Sequence, residues 1–248
     1  MGEPLQRKPK SQMSDEERVR EFQRKLYLKA KQEKEFRFCV LYDKVRLPYV
    51  LREAYKRCKA NGGRPGIDNM RFEDIEESGI TEFIEGIIKE LEERRYKPSP
   101  VIRVHIPKAN GKLRPLGIPT IKDRVIQTAC KMVIEPIFEA DFEDSSYGFR
   151  PERKASQAVE KIKENLKDGK TEVYDADLSS YFDTIPHSEL MYLVGIRISD
   201  RNVLHLIKMW LKAPIYEEGR MSGGKKNKKG TPQGGVRDLS SRLCLEVW

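Results

Sequence analysis

Cysteine and histidine are too few and too scattered to build a metal ribbon. Cys39, Cys58, Cys130 and Cys244 show no C-x-x-C spacing, and only His105, His187 and His205 join them. Structural zinc is therefore not expected, and reduced thiols in a cytoplasmic protein are. Long apolar runs are missing too. No segment reaches the roughly 18 uninterrupted apolar residues of a membrane span. Residues 1–10, Met-Gly-Glu-Pro-Leu-Gln-Arg-Lys-Pro-Lys, hold no apolar stretch of a secretory signal. Internal repeats are absent.

Charge is what the chain has in plenty. Asp, Glu, Lys and Arg make up 35% of 248 residues, with a net charge of +9. That balance favours an anionic partner, most simply a nucleic-acid backbone. A basic soluble protein without such a partner is the alternative.

Polar residues 1–13 precede Ser14-Asp-Glu-Glu17, which has the form of a capping box. The helix it opens is expected to run to about Phe38, with Val19, Phe22, Leu26, Tyr27 and Ala30 on one stripe. A second helix is expected over Leu47 to Lys59, ended by Asn61-Gly-Gly-Arg-Pro-Gly-Ile-Asp68. A third covers Ile80 to Arg95, with Phe83, Ile84, Ile87, Ile88 and Leu91 inward. Val101 to Pro107 alternates as a strand, Ala109-Asn-Gly-Lys112 is a hairpin turn, and Leu113 to Pro119 returns, Pro115 implying an edge. Helices follow over Asp123 to Glu135, interrupted by Pro136, and over Lys154 to Leu166, with Ala155, Ala158, Val159, Ile162 and Leu166 inward. Asp168-Gly169 turns into a strand ending at Asp177. Ser199 is read as the cap of a helix reaching about Lys212.

Three motifs carry chemistry. Asp177 closes an apolar run within Tyr174-Asp-Ala-Asp-Leu-Ser-Ser-Tyr-Phe-Asp-Thr-Ile-Pro-His187. A carboxylate there is costly to desolvate unless a cation answers it, and a metal is the natural candidate. An aspartate that merely opens the turn after a strand fits the spacing equally well. Lys108, Lys112 and Arg114 surround the Asn-Gly turn, where a triphosphate or plain solvent would meet them. Gly230-Thr-Pro-Gln-Gly-Gly235 gives a flexible backbone with one amide side chain, Gln233, behind the basic loop Gly223 to Gly230.

Taken in this order, with Glu135 to Pro151 between the first two, the motifs strongly resemble bacterial group II intron reverse transcriptases, also called intron maturases. The resemblance runs from about Leu47 to Val236. Ala54 to Asp68 looks like the family's N-terminal extension of the fingers, and Arg114 to Gln127 matches its first blocks. The implied fold class is α/β: right-hand polymerase fingers and a partial palm. The implied organisation is a basic helical extension over 1–46, fingers over 47–170 and an incomplete palm over 171–248.

Carried over by residue, the resemblance makes Asp177 the first catalytic aspartate and a ligand of Mg²⁺, with the Leu178 carbonyl beside it. Phe182 matches the steric gate against a 2′-hydroxyl. Lys108 and Arg114 match residues that grip the triphosphate, and Gln233 the residue beside nucleotide sugar and template. Intron RNA, an RNA template with DNA primer, and dNTPs are the implied partners. The implied activity is RNA-directed DNA polymerisation with maturase help in splicing; a non-catalytic RNA-binding fragment is the alternative.

The tail departs from the family. Arg237 to Trp248 does not match the Ile-Ser-Pro-Leu continuation, and no Asp-Asp pair occurs in the chain. The expectation is a chain truncated before Tyr-x-Asp-Asp and inactive alone. Suitable codons for Arg237 to Arg242, read one base later, regenerate Val-Ile-Ser-Pro-Leu, so a shifted frame is its expected origin.

Overall fold

The computed structural model describes residues 12–107, 111, 113–148, 150–176, 184–224 and 227–230. Helix α1 (Asp15–Gln32) opens on the capping box read from sequence: the Glu17 amide donates to Ser14 Oγ at 3.2 Å and the Ser14 amide to Glu17 Oε2 at 2.8 Å. The helix stops at Gln32, short of Phe38. Arg197 explains the early end. Its guanidinium donates to the Ala30 carbonyl at 2.9 Å and the Glu33 carbonyl at 3.3 Å, satisfying oxygens at the helix end. The chain then turns, and Phe38 pairs with Ile198.

Helix α2 (Tyr42–Val45) is a single turn. Next come α3 (Pro48–Asn61), α4 (Phe72–Ser78) and α5 (Ile80–Glu92). Proline at the start of α3 costs nothing, because that amide has no intrahelical acceptor. Ile84, Ile87 and Leu91 of α5 are buried, with Phe83 and Ile88 packed beside them, as the period required. The short α2 and α4 escape periodicity, since one or two turns give it too few apolar residues.

Helix α6 (Ile121–Glu139) is the centre of the core, buried over most of its surface and packed against α1, α2 and α3. The expected break at Pro136 does not occur. Proline removes the amide that would bond the Met132 carbonyl. That carbonyl instead accepts from Gln23 Nε2 of α1 at 2.9 Å, so the helix continues. Fully buried Leu51, Ile87, Leu91, Ile126, Ile134 and Ile137 meet around it, each contributing about 1.5–3 kcal/mol.

Strands β1 (Val101–Pro107) and β2 (Leu113–Ile118) form the expected antiparallel hairpin. Helices α7 (Ala155–Lys167), α8 (His187–Arg197) and α9 (Arg201–Leu211) follow, then β3 (Pro214–Glu217) and β4 (Arg220–Gly223). The sheet order is β2-β1-β3-β4, with β1 and β3 parallel. Pro115 accordingly lies on an edge strand.

Three further expectations need correction. The apolar stripe of α7 does not face inward: Val159, Ile162 and Leu166 are 51%, 57% and 47% exposed, and no residue of α7 is buried. Periodicity shows which residues share a face, not whether another element covers it. Residues 171–176 form no strand, and Val173 and Tyr174 are exposed. The cap of α9 is Asp200, not Ser199. Asp200 Oδ1 accepts from the Asn202 and Val203 amides, while Oδ2 accepts from the amides of Leu41 and Tyr42, each at 2.8 Å. A serine hydroxyl has no second oxygen for that bridge.

Candidate nucleic-acid interface

A cleft of about 760 Å³ lies between the β1–β2 hairpin, the end of α3 and one face of α6. Arg57, Arg64, Arg124 and Lys131 line it, with Glu135 as its acidic counterweight. Two of the cations are already paired: Arg57 with Glu53 at 2.8 Å and Lys131 with Glu135 at 3.8 Å. Arg64 is exposed at the rim.

Arg124 builds the wall. Its guanidinium donates to the carbonyls of Pro119, Gly62 and Arg64, tying the 61–66 loop to the start of α6. Burial lowers its pKa from the ordinary arginine value, though it stays a cation at neutral pH. The loop lies so close that a Cβ on Gly66 would meet Thr120 backbone atoms at 2.6 Å.

A buried polar knot positions the other wall. Asp123 accepts from Tyr96 Oη at 2.6 Å, Thr120 Oγ1 at 2.7 Å and the Ser99 amide at 3.0 Å. Trp210 Nε1 of α9 donates to the same tyrosine oxygen at 2.9 Å. Burial raises the Asp123 carboxyl above its ordinary value, outweighing the hydrogen bonds that lower it. The knot thus links the strand entering the hairpin to α6 and α9.

Of the residues singled out by sequence, Arg114 alone lies within the described residues. It is half-buried on β2, opposite Ile106 and on the same sheet face as Leu116 and Ile118. Lys108, Asp177, Leu178, Phe182 and Gln233 lie outside the described residues. Asp175 is described and exposed. The Mg²⁺ expectation falls on Asp177 and Leu178, and among the described residues no three His, Cys, Asp or Glu side chains gather to hold a metal ion.

The segments flanking two of the motifs do meet. Pro186 pairs with Lys229, the His187 amide donates to the Lys228 carbonyl at 3.0 Å, and the Gly230 amide donates to Ile185 at 2.8 Å. His187 Nε2 donates to the Gly230 carbonyl at 2.7 Å. The chain leaving the Asp177 motif is therefore stitched to the chain entering Gly230-Thr-Pro-Gln.

This pairing falls inside a stretch, residues 106–240, that matches the family described as reverse transcriptase (RNA-dependent DNA polymerase). The chain belongs to the reverse transcriptase family. Within it, the likeness runs to group II intron-encoded proteins. Protein YkfC of Escherichia coli K12 is 39% identical over 92% of this chain and 60% of its own length. The group II intron-encoded protein LtrA of Lactococcus lactis is 37% identical over 80% of this chain and 32% of its own. This reverse transcriptase chain thus spans a little over half of one relative and about a third of the other. A Cas6-RT-Cas1–Cas2 complex chain superposes with a TM-score of 0.56 over 84% of this chain and 34% of that chain, at 20% identity. The reverse transcriptase fold is shared.

Sequence reasoning passed over Arg124, Gly66, Asp123 and His187. An Arg adjoining an Asp at the start of a helix, or a His after Ile-Pro, carries no local signal of its partners. Gly66 stood in a noted glycine loop, but the backbone it approaches is remote in sequence.

Proposed function

We propose that this chain is the fingers-and-palm portion of an RNA-directed DNA polymerase of group II intron type, acting on an RNA template with a DNA primer and dNTPs. The junction of His187 with Gly230 supports this reading: it joins the segment that follows the aspartate motif to the segment that precedes the glutamine motif. Asp177, with the Leu178 carbonyl, would hold Mg²⁺, which offsets charge on a transferring phosphoryl group. Lys108 and Arg114 grip the triphosphate from the hairpin, Phe182 meets the sugar, and Gln233 lies beside sugar and template. The division into an extension over 1–46, fingers over 47–170 and palm over 171–248 goes with this reading, as does a cytoplasmic location. No described helix is long and apolar enough to cross a membrane.

The second reading is intron RNA binding without nucleotidyl transfer, favoured by the cationic cleft at Arg64 and Arg124, which needs no metal. Primer extension on an RNA template with Mg²⁺ separates the two. Extension that disappears in Asp177→Asn supports the polymerase. Retained RNA binding without extension, even with a separately supplied C-terminal palm portion from LtrA, supports the binding module.

A further inference from the structure

A second cavity, of about 350 Å³, lies beside the His187–Gly230 junction. Its polar lining is His187, Ser188, Lys208, Lys212, Asn227 and Lys228. Three of these are lysines and none is acidic. At its floor, helix α8 begins after Pro186, and no side chain caps it. The His187 amide is spent on the Lys228 carbonyl and the Leu190 amide on Pro186. The amides of Ser188 and Glu189 remain at the positive end of an 11-residue helix. Glu189 is exposed and does not line the cavity; its Oε1 lies 3.4 Å from Ser188 Oγ.

Two observations point to a ligand. His187 is 7% exposed and walls the cavity, yet its Nδ1 is buried without a hydrogen-bond partner. Because Nε2 donates to a carbonyl, Nδ1 of the neutral ring is an acceptor lacking a donor, and in the charged ring it is a donor lacking an acceptor. Independently, α9 and its C-cap Lys212 present Arg201, His205, Lys208 and Lys212 at the 4-3-4 spacing of a single helix face, and α9 contains no acidic residue. None of Arg201, Lys208, Lys212 or Lys228 is ion-paired among the described residues. That stripe spans about 16 Å at a rise of about 1.5 Å per residue, more than one phosphate group occupies.

We propose that this cavity seats a backbone phosphate of a bound polynucleotide, held by the Ser188 amide together with Lys208, Lys212 and Lys228. The strand continues along the α9 stripe toward His205 and Arg201. A helix N-terminus ringed by cations is a phosphate site on general grounds, and the stripe outside it makes a polynucleotide the ligand rather than a free phosphate. The proposal rests on the reading that the chain binds nucleic acid, but not on Asp177 or any metal.

The test uses the full chain and a fluorescent single-stranded RNA without Mg²⁺. Affinity is measured against salt for wild type, Lys208→Gln/Lys212→Gln and Lys208→Arg/Lys212→Arg. The His187 ring resonance is followed as RNA or inorganic phosphate is added. Each lost phosphate contact removes about 0.7 from the slope of log affinity against log salt for a single strand. The expected results are a slope shallower by roughly 0.7–1.4 in the Gln pair, wild-type behaviour in the Arg pair, and a His187 signal that moves with RNA at concentrations where phosphate does nothing. RNA binding with an unaltered slope and an unmoved His187 signal overturns the cavity and leaves RNA binding standing. A His187 signal that answers phosphate as readily as RNA overturns the polynucleotide assignment. No RNA affinity in wild type at low salt overturns both.

Discussion

His187 Nε2 and the Gly230 carbonyl lie 2.7 Å apart, although 43 residues separate them in sequence. The hydrogen bond is buried and flanked by backbone bonds on both sides, so the two segments register against each other as short antiparallel strands do. The contact joins the segment that follows Asp177, the proposed metal ligand, to the segment that precedes Gln233.

Gln23→Ala should lower stability by about 1–2 kcal/mol, because the Met132 carbonyl beneath Pro136 loses its donor. Pro136→Ala returns a backbone amide to that carbonyl, so the cost of Gln23→Ala should shrink in its background. A double-mutant cycle by urea unfolding measures the coupling; equal costs in both backgrounds would show that Gln23 does not substitute for the missing amide.

Asp123→Ala leaves Tyr96, Thr120 and the Ser99 amide without their acceptor and should cost about 3 kcal/mol. Its pH dependence has a defined sign. Burial raises the folded carboxyl above 3.8, so over an interval above that value the folded chain keeps a proton the unfolded chain has lost. Stability from this group is full at low pH and declines as pH rises through the folded value. Relative to Asp123→Asn, wild type should therefore lose stability between pH 4 and neutrality, read from urea midpoints. A constant difference would place the carboxyl at its ordinary value.

How far the sequence reached is clear from particular elements. Its apolar periods located α3 and α5, because each buries one face against neighbours and the pattern records that directly; the β1–β2 hairpin was legible from its alternation and its Asn-Gly turn. Pro136 and α7 show the limit. Whether a proline breaks a helix depends on Gln23, on another element, and whether Val159 and Ile162 are buried depends on what packs above them. The site divides in the same way. Motif order identified the family, while Arg124, Asp123 and His187 act through carbonyls and hydroxyls that no local spacing specifies.

Arg150 is buried, donating to Glu139 and to the Glu143 and Ser146 carbonyls. Arg150→Ala should cost about 3–5 kcal/mol, because the Glu139 carboxylate stays behind without its cation. Adding Glu139→Gln should recover part of that loss, measured by thermal unfolding. No recovery would assign the effect to the two carbonyls instead.

Gly66→Ala forces a methyl to within 2.6 Å of Thr120 backbone atoms. The 61–66 loop must move away from Arg124, at a cost of about 1–3 kcal/mol. RNA affinity should fall with it, since Arg64 leaves the cleft rim. Unchanged melting and unchanged RNA affinity together would mean that the loop is not held where described.

The central claim is that the cleft between the hairpin, α3 and α6 is a nucleic-acid interface. Hydrogen–deuterium exchange of the full chain, with and without an RNA–DNA template–primer, tests it most directly. The account predicts slowed exchange over residues 61–66, β1 and β2 on adding the duplex, with α4 unaffected. Duplex binding that leaves the loop and both strands unprotected would contradict it.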